Sequence, residues 1–209
     1  MNIEKNTENT AIRKGRKFAQ VLEGAREVFL AEGFSASNMD HVAKASGVSK
    51  ATLYSYFPDK ESMFIVVFQT ECMRQADEAM AQIDQSETPD VVLRNAGQHL
   101  LASITSEFGQ RMFRMCVSEC DRFPELGPAF YKSGPMIIRQ TLGEYLKTAT
   151  TAGQLDVTDF DLAADQFVEL CKTDIFPKMM FGVQTVFEKA ELDRIVDGAV
   201  DTFLARYLA

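Results

Sequence analysis

The sequence predicts an all-α protein of about nine helices, with a three-helix head at residues 13–60 and a larger helical body at residues 61–209. Apolar residues recur at the i, i+3, i+4 and i+7 spacing of amphipathic helices through most of the chain, and no stretch keeps the alternation of a half-buried strand. Glycine and proline are also sparse, at 12 and 6 of 209 residues, which favours helix. Helix is therefore expected almost throughout.

The head begins with a helix predicted over residues 13–32, whose apolar stripe consists of Phe18, Val21, Leu22, Ala25, Val28 and Phe29. Gly33 is expected to end it. A second helix is predicted at residues 39–45, with Ser37 as N-cap and Asp40 three residues later. Gly47 supplies a sharp turn, and Ser49 caps a third helix that ends near residue 56. Two short helices joined by a glycine turn are the result.

The body is predicted as a succession of helices. They are expected at residues 60–84, 89–108, about 110–122, a short stretch within 123–134, then 135–151, 159–182 and 189–208. Thr158 with Asp161 resembles a capping box that opens the helix at residues 159–182, and Pro177 is expected to kink this helix near its end. The last helix has a broad apolar face, which we interpret either as a surface for a second subunit or as ordinary core.

Charge is unevenly distributed along the chain. Residues 1–62 hold nine Lys and Arg against eight Asp and Glu, whereas residues 63–209 hold thirteen against twenty-two, so the net charge of −8 resides in the body. The first ten residues are polar, and the longest apolar run, residues 63–68, is far shorter than the roughly 18 residues of a membrane span. We expect a cytoplasmic protein with no membrane partner.

Catalytic and metal-binding patterns are absent from the sequence. His41 and His99 are isolated, and we find no carboxylate pair, nucleophilic triad or metal-ligand cluster. The sequence therefore predicts no enzyme, no metal and no cofactor. The four cysteines are expected to be free thiols, although Cys116 and Cys120 share a helical face at i, i+4, which leaves a redox role open.

The helix at residues 49–56 has an unusual exposed set, namely Lys50, Thr52, Tyr54, Ser55 and Tyr56. Hydroxyls and one amine suit hydrogen bonds to phosphates and base edges, whereas an ordinary surface helix is richer in Glu and Lys pairs. Lys60 begins the next helix, where an ammonium and helix N-terminal amides suit a phosphate. The alternative interpretation is a simple corner between two helices.

Residues 33–64, GFSASNMDHVAKASGVSKATLYSYFPDKESMF, resemble the DNA-binding domain of the TetR family of transcriptional regulators, in its AcrR-like form. The resemblance covers about residues 16–68. It implies an all-α homodimer that places two heads in successive major grooves of a palindromic operator. The basic segment formed by Arg13, Lys14, Arg16 and Lys17 matches an arm that some members lay in the minor groove.

The resemblance also implies which residues contact DNA. Lys50, Ala51 and Thr52 match positions that face base edges or nearby phosphates, and Tyr54 matches one that packs against bases or backbone. The other implied contacts are to phosphates or lie at the helix starts, and comprise Ser37, Asn38, Ser49, Tyr56 and Lys60. Tyr56 departs from the His that many members have there, and it keeps a polar tip.

The body is rich in Phe and Met, which at helical spacing indicate either core or an adaptable apolar pocket. By the resemblance, it holds a small apolar or aromatic effector, for which we select Phe68, His99, Met112, Phe113, Met115, Phe130 and Phe167. The resemblance further implies dimerisation through the last two long helices. The function expected is a ligand-responsive repressor; the alternatives are an activator or effector-independent regulator with the same head, or a helical interaction module.

Overall fold

In the computed structural model, residues 15–209 are described, and these residues form helices and no strand. The helices are α1 (Arg16–Ala36), α2 (Met39–Ala45), α3 (Lys50–Tyr56), α4 (Lys60–Gln82), α5 (Pro89–Thr105), α6 (Glu107–Glu119), α7 (Leu126–Ser133), α8 (Pro135–Thr151), α9 (Phe160–Lys172), α10 (Ile175–Met180) and α11 (Lys189–Tyr207). The predicted all-α class is confirmed, and the eleven helices of residues 15–209 fit the predicted number of about nine. None of these helices is long and apolar enough to span a membrane.

The chain divides into two compact units. The first contains the described residues up to Glu71 together with Met115–Phe130, and the second contains Cys72–Arg114 and Tyr131–Ala209. Helices α4, α6 and α7 each contribute residues to both units. Residues 13 and 14 of the basic arm lie outside the described residues.

Aromatic side chains form the centre of the first unit. Phe34 lies between Phe29 and Phe64, with ring centroids 6.1 and 5.0 Å away, and it also meets Phe123 edge-on at 5.2 Å. Such pairs stabilise a core beyond their buried area by about 0.5–1.5 kcal/mol each. Phe34 can turn inward because Gly33 has φ 78°, which breaks the regular helix where its end was predicted.

Gly24 lies where α1 passes closest to the end of α2. A Cβ placed on Gly24 would lie 2.7 Å from the Ser46 nitrogen and 2.9 Å from its Cα, so any larger residue would collide with backbone. The missing side chain is what allows α1 to support the turn between α2 and α3. This role of Gly24 was not predicted from the sequence.

The second unit is built on α5, α8, α9 and α11. Its largest fully buried side chains include Leu93, Leu101, Leu146, Phe167 and Phe203. The apolar stripe of α11 belongs to this core, because Ile195, Val196, Ala199, Val200 and Phe203 are all buried within the chain. Of the two interpretations of that stripe, ordinary core is the one observed.

The predicted helix at residues 159–182 is wrong in two respects. Its N-cap is Asp159, whose carboxylate accepts from the Leu162 amide at 3.0 Å, and not Thr158. The helix ends at Lys172 because Asp174 has φ 65°, and Pro177 does not kink it. Pro177 lies in the first turn of the new helix α10, where an amide has no partner within the helix and proline is tolerated.

Substituting Gly24 by Ala is expected to lower the free energy of unfolding by about 1–3 kcal/mol, since the added methyl meets the Ser46 backbone. Gly143→Ala is the matched control. It is also a buried helical glycine, but the nearest atoms to its Cβ are 3.8 Å away, so the substitution should be neutral or stabilise by up to about 1 kcal/mol. Denaturant unfolding followed by circular dichroism measures both. Equal effects of the two substitutions would contradict a close approach at Gly24.

Candidate functional sites

Helices α2 and α3 are locked together by a short turn. Val42 and Leu53 are fully buried between them, and the Val48 amide donates to the Ala43 carbonyl at 3.1 Å. Gly47 at the turn has φ 62°, a left-handed conformation that glycine adopts without strain. The predicted pair of short helices joined by a glycine turn is therefore confirmed, and the two helices pack against each other as a helix–turn–helix.

The caps of these helices are set by side-chain hydrogen bonds. Ser49 caps α3 as predicted, since its hydroxyl accepts from the Thr52 amide at 3.1 Å. The prediction that Ser37 caps α2 is wrong. Asn38 is the N-cap, and its Oδ1 accepts from the Asp40 and His41 amides at 3.0 and 2.9 Å. Ser37 is buried, and its hydroxyl donates back to the Phe34 carbonyl at 2.8 Å.

Helix α3 presents donors and acceptors on its outer face. Lys50, Ala51, Tyr54 and Ser55 are exposed, and half of the Tyr54 surface is accessible. The Lys50 ammonium lies 2.7 Å from the Asp40 carboxylate, and both side chains are more than half exposed. These residues and the capped N-terminus form a surface of α3 that can hydrogen-bond to another molecule.

Thr52 and Tyr56 are half-buried on the same helix. The Thr52 hydroxyl lies 2.9 Å from the Ser49 hydroxyl, and the Tyr56 ring meets Phe18 edge-on at 5.5 Å. Both residues are thus held by the head while part of each side chain stays accessible. The structure brings Ser49, Lys50, Ala51, Thr52, Tyr54 and Tyr56 together on one short helix and its cap.

Lys60 lies at a joint between α1, α2 and α4. Its ammonium donates to the carbonyls of Phe34 at 2.6 Å and Ser37 at 3.1 Å, with Ser35 at 3.5 Å. It also stands over the Phe34 ring, 4.4 Å from the centroid. The sequence indicated only a phosphate contact for Lys60, and these carbonyls give it a second, structural role.

The second unit contains a cavity of about 370 Å³. Helices α4, α5, α8 and α9 line it with mostly apolar side chains, which include Val92, Leu100, Ile138, Leu142 and Phe167. A volume of this size lies within the range of about 300–1,000 Å³ typical of small-molecule sites. The cavity is therefore a candidate ligand site that the described residues form within one unit.

Two of the seven residues selected for a ligand line this cavity, namely His99 and Phe167. The others lie elsewhere. Phe68 stacks on Phe130 at 4.7 Å in the first unit, and Phe113 meets Phe176 edge-on at 5.2 Å in the second. Met112 is buried and Met115 is half-buried. Ligand contacts from these five residues stay predictions.

Tyr145 is a cavity residue that sequence analysis missed. It is only 5% exposed, and its hydroxyl has no hydrogen-bond partner among the described residues. Burial, and then the negative charge of Asp90, raise the pKa of Tyr145 to about 12. Its position, three residues after Leu142 and four before Ala149 on the buried stripe of α8, was the available signal.

The cysteines are free thiols. Cys116 is buried, and Cys120 is half-buried with its Sγ 3.3 Å from the Val117 carbonyl. Burial also raises the pKa of the Cys171 thiol to about 12, which makes it unreactive at neutral pH. Among residues 15–209, no three His, Cys, Asp or Glu side chains come together as a metal site.

Comparison with known proteins assigns each part of the chain separately. Residues 21–67 match the model of the bacterial regulatory proteins of the tetR family, and residues 91–209 match the model of the C-terminal domain of AefR-like transcriptional repressors. A curated relative, the uncharacterised HTH-type transcriptional regulator YhgD of Bacillus subtilis, is 43% identical over 63 residues, or 29% of this chain and 33% of that protein. The chain thus spans about a third of the length of the first curated relatives it matches.

Solved structures match almost the whole chain. A TetR-family regulator from Mesorhizobium loti is 25% identical, with a TM-score of 0.80 over 94% of this chain and 99% of that one. The flavonoid-responsive regulator FrrA is 30% identical, with a TM-score of 0.75 over 93% and 98%. Because the C-terminal family model alone covers more than half of the chain, and the N-terminal model matches the head, this chain belongs to the TetR family of transcriptional regulators.

Proposed function

We propose that this protein is a ligand-responsive transcriptional repressor that binds a palindromic operator as a homodimer and releases it when a small apolar or aromatic effector binds. The observation that carries the proposal is the outer face of α3. There, Lys50, Tyr54 and Ser55 are exposed on a capped helix that buried Leu53 holds in place. A short, capped helix with an exposed polar face suits the major groove, where side chains reach base edges.

Lys50 is the strongest candidate for reading bases. Its partner Asp40 is as exposed as Lys50 itself, so the ion pair contributes at most about 1 kcal/mol. Lys50 therefore loses little free energy when its ammonium leaves Asp40 for the edge of a guanine. A good contact of this kind favours the correct base over a wrong one by about 1–3 kcal/mol. Thr52 and Tyr54 extend the same face, whereas Ser49 and Asn38 stand at helix N-termini, where phosphates bind favourably.

A dimer is required because one head makes too few contacts for specific binding. The observation that supports it is a group of exposed apolar residues on α9 and in the segment that leads into the last helix. Phe181, Val183 and Val186, in the segment between α10 and α11, are 85%, 74% and 79% exposed, and Leu162 on α9 is 52% exposed. Several large apolar residues exposed in one short segment typically mark a protein interface.

The cavity supports regulation by an effector. Helix α4 lines it through Cys72, Ala76 and Ala79, while the first residues of the same helix belong to the unit that contains α3. A ligand that binds one position of α4 more tightly than another shifts the protein toward the position it prefers. If the operator prefers the other position, operator affinity falls, at most by the ratio of the two ligand affinities, and the operator lowers the affinity for the ligand by the same factor. The aromatic effector class is supported by the relative FrrA, which is named as flavonoid-responsive.

The decisive experiment selects operator duplexes from random DNA with the purified full chain at low salt. We expect a palindrome whose half-sites are one helical turn, about 34–36 Å, apart, and a complex of two chains per duplex. The selected duplex placed at a promoter should lower reporter transcription. A failure to enrich any duplex would refute the DNA-binding proposal, and increased transcription would favour the activator alternative.

Lys50→Ala and Lys60→Met separate base reading from support of the head. Lys50→Ala should change the free energy of unfolding by less than about 1 kcal/mol and relax base preference in the selected operator. Lys60→Met should lower the free energy of unfolding by about 1–3 kcal/mol, because the carbonyls of Phe34 and Ser37 lose a charged donor. Operator selection, urea unfolding and salt titration measure these effects.

The salt titration also tests the phosphate contact implied for Lys60. A lost phosphate contact lowers the slope of log affinity against log salt by about 1, and an unchanged slope would confine Lys60 to its structural role. Unaltered stability of Lys60→Met would contradict the joint described above.

Val186→Asp is expected to dissociate the dimer, because it places a charge in the exposed apolar segment. Sedimentation equilibrium should show that the dissociation constant of the dimer rises by at least about tenfold. Val117→Asp is the matched control, since Val117 is 58% exposed on α6, away from the last helices in sequence. A dimer unaffected by Val186→Asp, or equally affected by both, would exclude this segment from the interface.

A further inference from the structure

One ion pair joins the two helices of the helix–turn–helix on their outer surface. The Lys50 ammonium, at the start of α3, lies 2.7 Å from the Asp40 carboxylate in the first turn of α2. Both side chains are more than half exposed, so another molecule can reach both charged groups. The pair therefore presents a donor and an acceptor side by side at the surface of α3 that is proposed to contact DNA.

The Asp40 carboxylate is an unexpected group at such a surface, because the phosphates of DNA repel it. The cap of α2 does not depend on it, since Asn38 already accepts from the Asp40 and His41 amides. An acidic side chain in the first turn stabilises a helix only modestly. The carboxylate is also too exposed to contribute to the packing of α2. Its position beside Lys50 is the feature that calls for a functional explanation.

The order of the two groups matches the major-groove edge of a G·C base pair. Guanine presents its N7 and O6 acceptors there, and the amino group of cytosine is the donor that lies beside O6. Lysine pairs with the guanine acceptors, and aspartate accepts from the cytosine amino group. Lys50 and Asp40 already lie within hydrogen-bond distance of each other, so their charged groups are close enough to contact neighbouring atoms of one base pair.

We infer that Asp40 is a specificity-determining residue, which accepts from the cytosine of the same G·C pair whose guanine Lys50 contacts; this assignment rests on the proposed DNA-binding function. When the ammonium moves to guanine, the carboxylate gives up its hydrogen bond from Lys50, and the cytosine amino group replaces that donor. An A·T pair in the same place presents the O4 acceptor and the methyl group of thymine to the carboxylate, and neither donates to it. A reversed C·G pair turns the amino group toward the ammonium. The two residues together therefore read both the identity and the orientation of the pair.

The alternative is a surface ion pair that makes no contact with a base through Asp40. In that arrangement the carboxylate only restrains Lys50 and repels phosphates. Removing it would then raise the affinity for every duplex alike and leave the base preference unchanged. The two roles of Asp40 thus differ in what they predict for base preference.

Asp40→Ala, made in the full chain, tests the assignment on operator duplexes obtained by the selection described above. The wild type should prefer G·C at one position of each half-site by about tenfold, and Asp40→Ala and Lys50→Ala should each reduce the preference at that same position to about twofold or less. Glu61→Gln is the matched control, since it removes a carboxylate from the first turn of α4 in the same unit, and it should keep the preference. Fluorescence anisotropy measures the affinities, and circular dichroism checks that the variants keep the helical fold.

N4-methylcytosine at that position isolates the contact of Asp40. The modified base keeps its pairing with guanine and replaces the amino hydrogen that faces the major groove by a methyl group. The wild type should bind the methylated operator at least about fivefold more weakly than the unmodified one, whereas Asp40→Ala should bind the two within about twofold of each other.

Two results would overturn the assignment: a G·C preference that survives in Asp40→Ala, or a wild type that binds the methylated and unmodified operators equally. The same measurements separate this inference from the proposed function. Operator binding by the wild type, with an unchanged preference in Asp40→Ala, removes only the role of Asp40. Absent operator binding by the wild type removes the proposed function as well.

Discussion

The first unit depends on one ammonium group, that of Lys60, at the place where α1 ends. Helices leave their last carbonyls without partners, and a positive charge there is favourable. Here the Phe34 carbonyl accepts from both the Lys60 ammonium and the Ser37 hydroxyl, and the Phe34 ring lies under the same ammonium. One residue of α4 thereby fixes the segment that leads into α2. Since Leu53 and Val42 lock α3 onto α2, the position of the face proposed to contact DNA depends on this joint.

Features governed by neighbours in sequence were the ones that could be predicted. The turn at Gly47, the break at Gly33 and the cap at Ser49 depend on the residue itself and on amides within three positions. Errors arose where two adjacent residues were both capable of capping. Ser37 and Asn38 compete for α2, and the choice falls on Asn38 because the Ser37 hydroxyl is used by the end of α1. Periodicity contains no information on that competition.

The cavity shows a different limit of sequence reasoning. The periodic pattern indicates which side of a helix is buried, but not whether the buried side faces another side chain or an empty space. Phe68 and Phe113 were reasonable ligand candidates by composition, yet each has an aromatic partner, Phe130 and Phe176 respectively. His99 and Phe167 line the cavity because α4, α5, α8 and α9 enclose a space at those positions. That arrangement is a property of the packed unit.

The cavity has to supply only a small energy difference for the proposed regulation. Allosteric couplings are typically about 1–3 kcal/mol. At about 25 cal/mol per Å² of apolar surface removed from water, a ligand supplies this difference when it buries roughly 40–120 Å² more apolar surface in one state of the cavity than in the other. A mostly apolar wall, with Val92, Leu100, Ile138, Leu142 and Phe167, suits such a mechanism. A charged anchor suits it less well, because a buried charge would destabilise the empty cavity by several kcal/mol.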